Sequence, residues 1–280
     1  TTKEEIQNER LQANKEKKPY RYSRKWRDFR GELNKPFAIR VKIPLNQNTS
    51  LNDKILGKIT VNNNELDDFI ILRSDKTPTY MLSVVADDKS MGITDVIRGD
   101  DHLTNTFKQL ILIDLLGWNK PNFSHIPLIH SQDGGKLSKR YGDLSVKHYK
   151  NNKFLPESLI NYLLRLGWGY GDKEFFSIEE ARNLFSLEGV RKSPAKFDEK
   201  KLLNLNSYYF KKLSTKILFK MTSNYFDLKN YDKEFIRKLF CIFQDRSENI
   251  NDFLENIEYM LKNGEVKISE SAKETLIKTD

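Results

Sequence analysis

Apolar positions in the first 130 residues recur at strand and helix periods in turn. FAIRVKI (37–43) alternates and predicts a strand closed by Pro44, and the polar LNQNTSLND after it reads as a loop. KILGKITV (54–61) and DDFIILR (67–73) predict two further strands on either side of the turn-rich NNNE. In TPTYMLSVVADD (77–88), Thr77–Pro78 signals a helix start, because proline in the first turn loses no hydrogen bond. The β-branched Val84 and Val85 keep a strand open there as the alternative. TDVIRGDDH (94–102) predicts a short buried strand broken at Gly99. Asp100 and Asp101 then lie at the positive end of the helix HLTNTFKQLILIDLLG, which Gly117 ends. SHIPLIH (124–130) predicts a buried strand with Pro127 at an edge or bulge, running into the basic loop SQDGGKLSKRYGD. Strand, helix, strand and glycine-rich loop in this order make half of an α/β nucleotide-binding domain.

Beyond about residue 144 the helical period takes over. Pro156 opens a helix whose buried side is Leu159, Ile160, Leu163, Leu164 and Leu166. Ser177 and Glu180 form a capping-box pattern for the next. Further helices are expected at 198–206, 209–221, 232–243 and 247–261, giving an all-helical region of two small bundles hinged near 220–230.

Composition narrows the function classes. Of 280 residues, 48 are Lys or Arg against 39 Asp or Glu, a net charge of +9 that favours a polyanionic partner. Aromatic content of 11% argues for folded domains rather than a disordered basic chain. One Cys excludes a disulfide framework and a cysteine-built zinc site, and four His without an H-E-x-x-H leave no metal motif. No run approaches the ~18 apolar residues of a spanning helix, so a soluble, cytoplasmic protein is expected. Thr1–Lys18 is polar and helix-prone, without the apolar stretch of a signal peptide; lacking an initiator Met, it reads as an incomplete start or the interior of a larger protein. Residues 1–36 hold eleven Lys and Arg against six Asp and Glu. Within them PYRYSRKWRDFR (19–30) interleaves Arg21, Arg24, Lys25 and Arg27 with Tyr20, Tyr22, Trp26 and Phe29. That pattern suits phosphates met by cations and bases met by aromatic faces; a basic surface with inward-packed aromatics is the other reading.

Two segments carry candidate chemistry. In SQDGGKLSKRYG (131–142), Gly134–Gly135 allow an arch, and Lys136, Lys139 and Arg140 place three cations beside the Ser138 hydroxyl. The loop holds no general base and is not a Walker A sequence; it suits polyphosphate stabilisation, or is simply a solvated basic loop. In IRGDDH (97–102), Arg98 lies at the carboxyl end of a strand, where open α/β folds bind ligands, and its fork can clamp a carboxylate. Pairing with Asp100 or Asp101 is the structural alternative. Tyr80 can turn a phenol into the same crevice or pack in the core. Asp87 and Asp88 read as structural.

Residues 67–118, HIPLIHSQDGGKLSKRYG (125–142) and FLPESLINYLLRLGW (154–168) closely resemble bacterial glutamyl-tRNA synthetases, members of class I, with alphaproteobacterial sequences most similar. KLSKR (136–140) resembles the second class-defining motif, and EGVRKSPAKFD (188–198) the family's downstream helical domain. The first motif, a His-[Ile/Val]-Gly-[His/Asn] stretch, is absent, as is the half of the nucleotide fold that carries it, so the chain reads as a fragment. Trp26 stands where zinc-binding members have Cys.

The resemblance implies the second half of a Rossmann-type class I synthetase catalytic domain with an inserted acceptor-binding region, followed by an all-helical region. The implied divisions are 1–66 for the partial acceptor-stem insertion, 67–144 for the catalytic half, 145–220 for a helical stem-contact domain and 221–280 for an incomplete anticodon-binding domain. It implies ATP, arriving with Mg²⁺, and glutamate as substrates of a two-step glutamate–tRNA ligase acting on tRNA(Glu) and also tRNA(Gln), as a monomer without zinc. Lys136, Ser138 and Lys139 become catalytic; Leu128 and Ile129 seat the adenine with Lys136 and Lys139 on the phosphates. Tyr80 and Arg98 bind glutamate, His102 packs in the pocket, and Arg21, Arg24, Lys25, Arg27, Arg140, Lys147 and Lys150 meet tRNA. An inactive tRNA-binding fragment or paralogue is the alternative, for which the 280 residues alone would not charge tRNA.

Overall fold

The computed structural model of the protein describes residues 2–135, 137 and 145–262. It has the mixed α/β fold expected, with helices toward the C-terminus. Two compact units divide the chain: residues up to Leu128 with Val190–Ser193, and Ile129–Gly189 with the residues from Pro194 onward.

The first unit begins with α1 (Lys3–Lys15), whose start is fixed by a reciprocal capping box between Thr2 and Glu5. Of FAIRVKI only β1 (Ile39–Arg40) is strand, antiparallel to β4 (Ile70–Leu72). The stretch expected as a loop contains β2 (Asn48–Asp53), which pairs antiparallel with β3 (Gly57–Asn62), while Lys54–Leu56 of the expected strand form their turn. Polar Asn48, Ser50 and Asn52 on the outer face hide this strand, whereas Leu51 and Asp53 are buried. Asp53 builds the turn: its Oδ1 accepts from the amides of Ile55 at 2.9 Å and Leu56 at 2.8 Å, and Gly57 follows at φ +86°.

The segment 77–88 is a helix, not a strand. It is α2 (Tyr80–Ser90), which starts two residues later than the Thr77–Pro78 signal because Thr79 is its cap residue. The Thr79 hydroxyl donates instead to the carbonyl of Ile70 at 2.7 Å, tying the helix to β4. Next come β5 (Asp95–Gly99), a 3₁₀ turn at Asp100–His102, α3 (Leu103–Leu115) and β6 (Asn122–Ile126). β5 and β6 run parallel, with Arg98 opposite His125. Seven residues of α3 are buried, in keeping with its apolar circumference. One core joins Val41, Ile43, Leu51 and Phe69 to Val85, Phe107, Leu110 and Phe123, so residues before and after position 66 fold as one body.

Pro127 interrupts the strand expected at 124–130. β7 (Ile129–His130) belongs to the second unit and runs parallel to β8 (Ala195–Lys196). The helices there are α4 (Val146–Asn151), α5 (Pro156–Gly167), α6 (Ile178–Leu184), α7 (Glu199–Lys211), α8 (Thr215–Thr222), α9 (Lys233–Arg246) and α10 (Ile250–Leu261). Pro156 and the Ser177–Glu180 box start α5 and α6 as expected. Lys173 and the capping hydrogen bonds hold the Glu180 carboxyl at a pKa of about 2. The single helix expected at 209–221 is broken: α7 runs on to Lys211, and Ser214 caps a new start by accepting from Ile217. Residues on either side of 220–230, expected as two bundles, share one core that includes Leu155, Phe210, Leu218, Ile236, Phe240 and Phe253. Phe253 packs edge-on against both Phe210 and Phe240 with ring centres 5.4 Å apart. Phe240 is fully buried, so Phe240→Ala is expected to cost about 3–5 kcal/mol of stability, read as a lower urea midpoint at unchanged slope.

Candidate functional site

Strand alternation and the β5–β6 register place Arg98 and His125 side by side on one face of the parallel pair. Thr106 and Gln109, one helical turn apart on α3, present oxygens to the same spot. The Arg98 Nη2 donates to Thr106 Oγ1 at 2.7 Å and to Gln109 Oε1 at 2.6 Å, using both of its hydrogens. Its Nε faces His125 Nε2 at 3.4 Å, and its Nη1 reaches the Tyr80 hydroxyl at only 3.5 Å. The guanidinium is held along its Nε–Nη2 edge, and Nη1 makes only the long contact to Tyr80 among the described residues. A two-nitrogen fork onto a carboxylate is therefore not available in this arrangement, contrary to the geometry expected from the sequence. Nη1 together with the Tyr80 hydroxyl is the donor set that remains.

Among the described residues, Arg98 hydrogen-bonds to Tyr80, Thr106, Gln109 and His125 and to no carboxylate. Neither Asp100 nor Asp101 forms an ion pair with it among the described residues, so the structural alternative of an Arg98–aspartate cap is not what is found. Partial burial pushes the Arg98 pKa below its ordinary value; the Tyr80 oxygen and the Asp88 charge only partly offset this. Burial in turn raises Asp88, against the pull of Arg98. Gln109 gives its carbonyl to Arg98 and leaves its buried Nε2 without a partner, an arrangement that costs on the order of 1–3 kcal/mol. The His102 ring lies tilted beside Tyr80, ring centres 6.2 Å apart.

Behind Arg98 lie groups that sequence reading missed. His125 is fully buried; its Nδ1 is 2.7 Å from Asp53 Oδ2 and its Nε2 is 2.9 Å from the Thr106 hydroxyl. The one-turn spacing of Thr106 and Gln109 was a signal that could have paired them on one face of α3, whereas the place of His125 opposite Arg98 emerges only from the β5–β6 register. Asp53, 45 residues before Arg98 in a segment that looks like loop, carried no signal.

Gly99 ends β5 where a Cβ would stand 2.7 Å from Asp101 Oδ1, so that carboxylate would have to shift to admit a side chain. The half-buried Leu128 lies in ordinary contact range of the same point. Ile129 starts β7 in the second unit, where its carbonyl accepts from the Leu137 amide at 3.1 Å. Lys136, Ser138, Lys139 and Arg140 lie outside the described residues.

The basic segment 19–30 divides in two. Arg27 Nη1 bonds both oxygens of the buried Asp68, at 2.8 and 2.7 Å, and its Nη2 donates to the Ile43 carbonyl. Arg24 donates to the Leu66 carbonyl at 2.7 Å with its Nε 3.8 Å from Asp68, and Tyr22 is buried. Arg21, Lys25, Trp26 and Phe29 are exposed, with Lys25 paired to Glu5 at 2.5 Å. Tyr22, Arg24 and Arg27 thus face the protein, while Arg21, Lys25, Trp26 and Phe29 face solvent. Lys147 and Lys150 are exposed on α4. Among the described residues no group of three or more His, Cys, Asp or Glu is placed to hold a metal ion, and no helix is long and apolar enough to cross a membrane.

A parallel strand–helix–strand unit with a cation at the carboxyl end of its first strand is the arrangement with which open α/β folds bind ligands. Residues 1–204 match the family model described as "tRNA synthetases class I (E and Q), catalytic domain". The chain is 41% identical over 288 residues to "Glutamate--tRNA ligase 2" of Zymomonas mobilis, covering 99% of this chain and 60% of that protein. It is 43% identical over 286 residues to "Glutamate--tRNA ligase" of Thermodesulfovibrio yellowstonii, covering 100% and 61%. The crystal structure of a glutamate tRNA ligase from Elizabethkingia meningosepticum in complex with its amino acid superposes with a TM-score of 0.80 at 29% identity, over 92% of this chain and 59% of that one. The chain belongs to the glutamate and glutamine branch of the class I tRNA synthetases. It spans about three fifths of the length of the curated relatives it matches.

Asp68 is the anchor on which the basic segment depends. Asp68→Ala leaves Arg27 half-buried without its counter-charge and is expected to cost about 3–5 kcal/mol in chemical denaturation; a loss below 1 kcal/mol would contradict the anchoring role.

Proposed function

We propose that this chain serves a glutamate–tRNA ligase: activation of glutamate by ATP to glutamyl-adenylate and pyrophosphate, then transfer of the acyl group to the 3′ end of tRNA. The observation that carries the reading is Arg98, a partly desolvated cation with Nη1 turned toward the Tyr80 hydroxyl. Among the described residues no carboxylate is hydrogen-bonded to this group and the Asp88 charge offsets its burial only in part; the side-chain carboxylate of glutamate would complete it. The uncharged amide of glutamine would leave the cation uncompensated.

The α-carboxylate of glutamate is already a nucleophile, so its attack on the α-phosphorus of ATP needs charge stabilisation rather than a general base. Lys136 and Lys139 would supply it on the phosphates, with Ser138 ordering the loop and Mg²⁺ arriving as part of the ATP complex. Leu128 and Ile129 would seat the adenine. Exposed Arg21, Lys25, Lys147 and Lys150, with Arg140, would meet tRNA phosphates; Arg24 and Arg27, bound to Asp68 and nearby carbonyls, shape the segment that presents them. The helices beyond about residue 220 would reach toward the anticodon. Charging of tRNA(Gln) besides tRNA(Glu), action as a monomer and a cytoplasmic location complete the reading.

Arg98→Gln in the full gene product is expected to narrow the kcat/KM preference for glutamate over glutamine by at least tenfold; an unchanged ratio would contradict the assignment. Lys139→Ala is expected to slow adenylate formation by roughly 2.7–4 kcal/mol of barrier while glutamate affinity stays put. Glutamate-dependent ATP–pyrophosphate exchange within about threefold of wild type would overturn that role.

A further inference from the structure

We propose that Asp53 and His125 are positioning residues for glutamate recognition: Asp53 fixes the imidazole with its proton on Nδ1, which keeps Nε2 an acceptor and holds Arg98 with Nη1 toward Tyr80. The inference rests on the reading of Arg98 as the anchor for the glutamate side chain.

Hydrogen-bond direction carries it. Arg98 can only donate, and its Nε–H faces His125 Nε2, so an N–H at that imidazole position would set donor against donor. The Thr106 hydroxyl has one hydrogen. With Nε2 as its acceptor at 2.9 Å, its oxygen stays open to the 2.7 Å bond from Arg98 Nη2. The His102 carbonyl, at 3.2 Å, is the longer of the two routes open to that hydrogen. The proton on His125 must then sit on Nδ1, and Asp53 Oδ2 lies 2.7 Å away to receive it.

Asp53 is suited to this task and fixed in place. Its side chain is fully buried, and every group bonded to it donates: the amides of Ile55, Leu56 and His125, and His125 Nδ1. Burial alone would raise its pKa, but the hydrogen bonds from Leu56, His125 and Ile55 outweigh this and hold it below the ordinary carboxylate value. The turn between β2 and β3 and the Arg98 site are thus joined by one buried relay, Asp53–His125–Thr106–Arg98. A one-way chain of donors fixes ring orientation, tautomer and guanidinium together.

Two variants and one spectrum test it. His125→Asn keeps an N–H near the Nδ1 position for Asp53 but removes the acceptor at Nε2; Thr106→Val removes the hydroxyl between them. In the full gene product each is expected to raise the glutamate KM about tenfold in ATP–pyrophosphate exchange, with kcat and the ATP KM within about threefold, a split that general destabilisation would not give. In the 280-residue chain, nitrogen NMR of the His125 ring is expected to show the proton on Nδ1. A glutamate KM unchanged in both variants while Arg98→Gln raises it, or a ring proton on Nε2, would overturn the proposal. If Arg98→Gln itself leaves the glutamate KM unchanged, the reading of Arg98 fails first, and this inference falls with it.

Discussion

A guanidinium taken partly out of water, with no carboxylate hydrogen-bonded to it among the described residues, is the constraint around which the first unit is organised. A lone cation in such a place is costly, and the molecule offsets that cost with acceptors other than a carboxylate. Each acceptor comes from a different structural rule. His125 is there because β5 and β6 pair in parallel with Arg98 opposite it. Thr106 and Gln109 are there because their one-turn spacing on α3 puts both on the buried face that meets Arg98. A carboxylate in any of these places would satisfy the charge and leave nothing for a ligand to add.

Two buried aspartates in the same unit illustrate the contrast. Asp68 meets Arg27 directly, and the result is a closed structural pair that pins the basic segment against the core. Asp53 meets no cation. Backbone amides and an imidazole N–H satisfy it, so its negative charge reaches Arg98 only through His125 and Thr106. Both aspartates lie in or beside the stretch that precedes the nucleotide-fold portion, and both tie that stretch to the core it shares with β5, α3 and β6.

Much of this was legible in the sequence, for identifiable reasons. The helix starts at Pro156 and Ser177 follow from local capping chemistry that needs no tertiary partner. Arg98 and Tyr80 stood out because chemistry gathers at the carboxyl ends of α/β strands. The strand at 48–53 was not legible, because its outer face is Asn and Ser and only Leu51 and Asp53 turn inward. The helix break at 212–214 was missed because apolar periodicity continues across it and only the Ser214 cap marks the new start. The mode by which Arg98 presents its donors was out of reach for another reason: which nitrogens stay free depends on Thr106 and Gln109, whose side chains meet Arg98 only in the folded unit. The segment KLSKR (136–140) carries the most specific sequence motif, and its lysines lie outside the described residues.

The account turns on Arg98 as a cation awaiting a carboxylate, and a structure of the full gene product with glutamate bound tests this most directly. The side-chain carboxylate is expected within hydrogen-bond distance of Arg98 Nη1 and the Tyr80 hydroxyl, with Nη2 still on Thr106 and Gln109. A carboxylate bound elsewhere, or Arg98 swung away to pair with Asp88, Asp100 or Asp101, would contradict it.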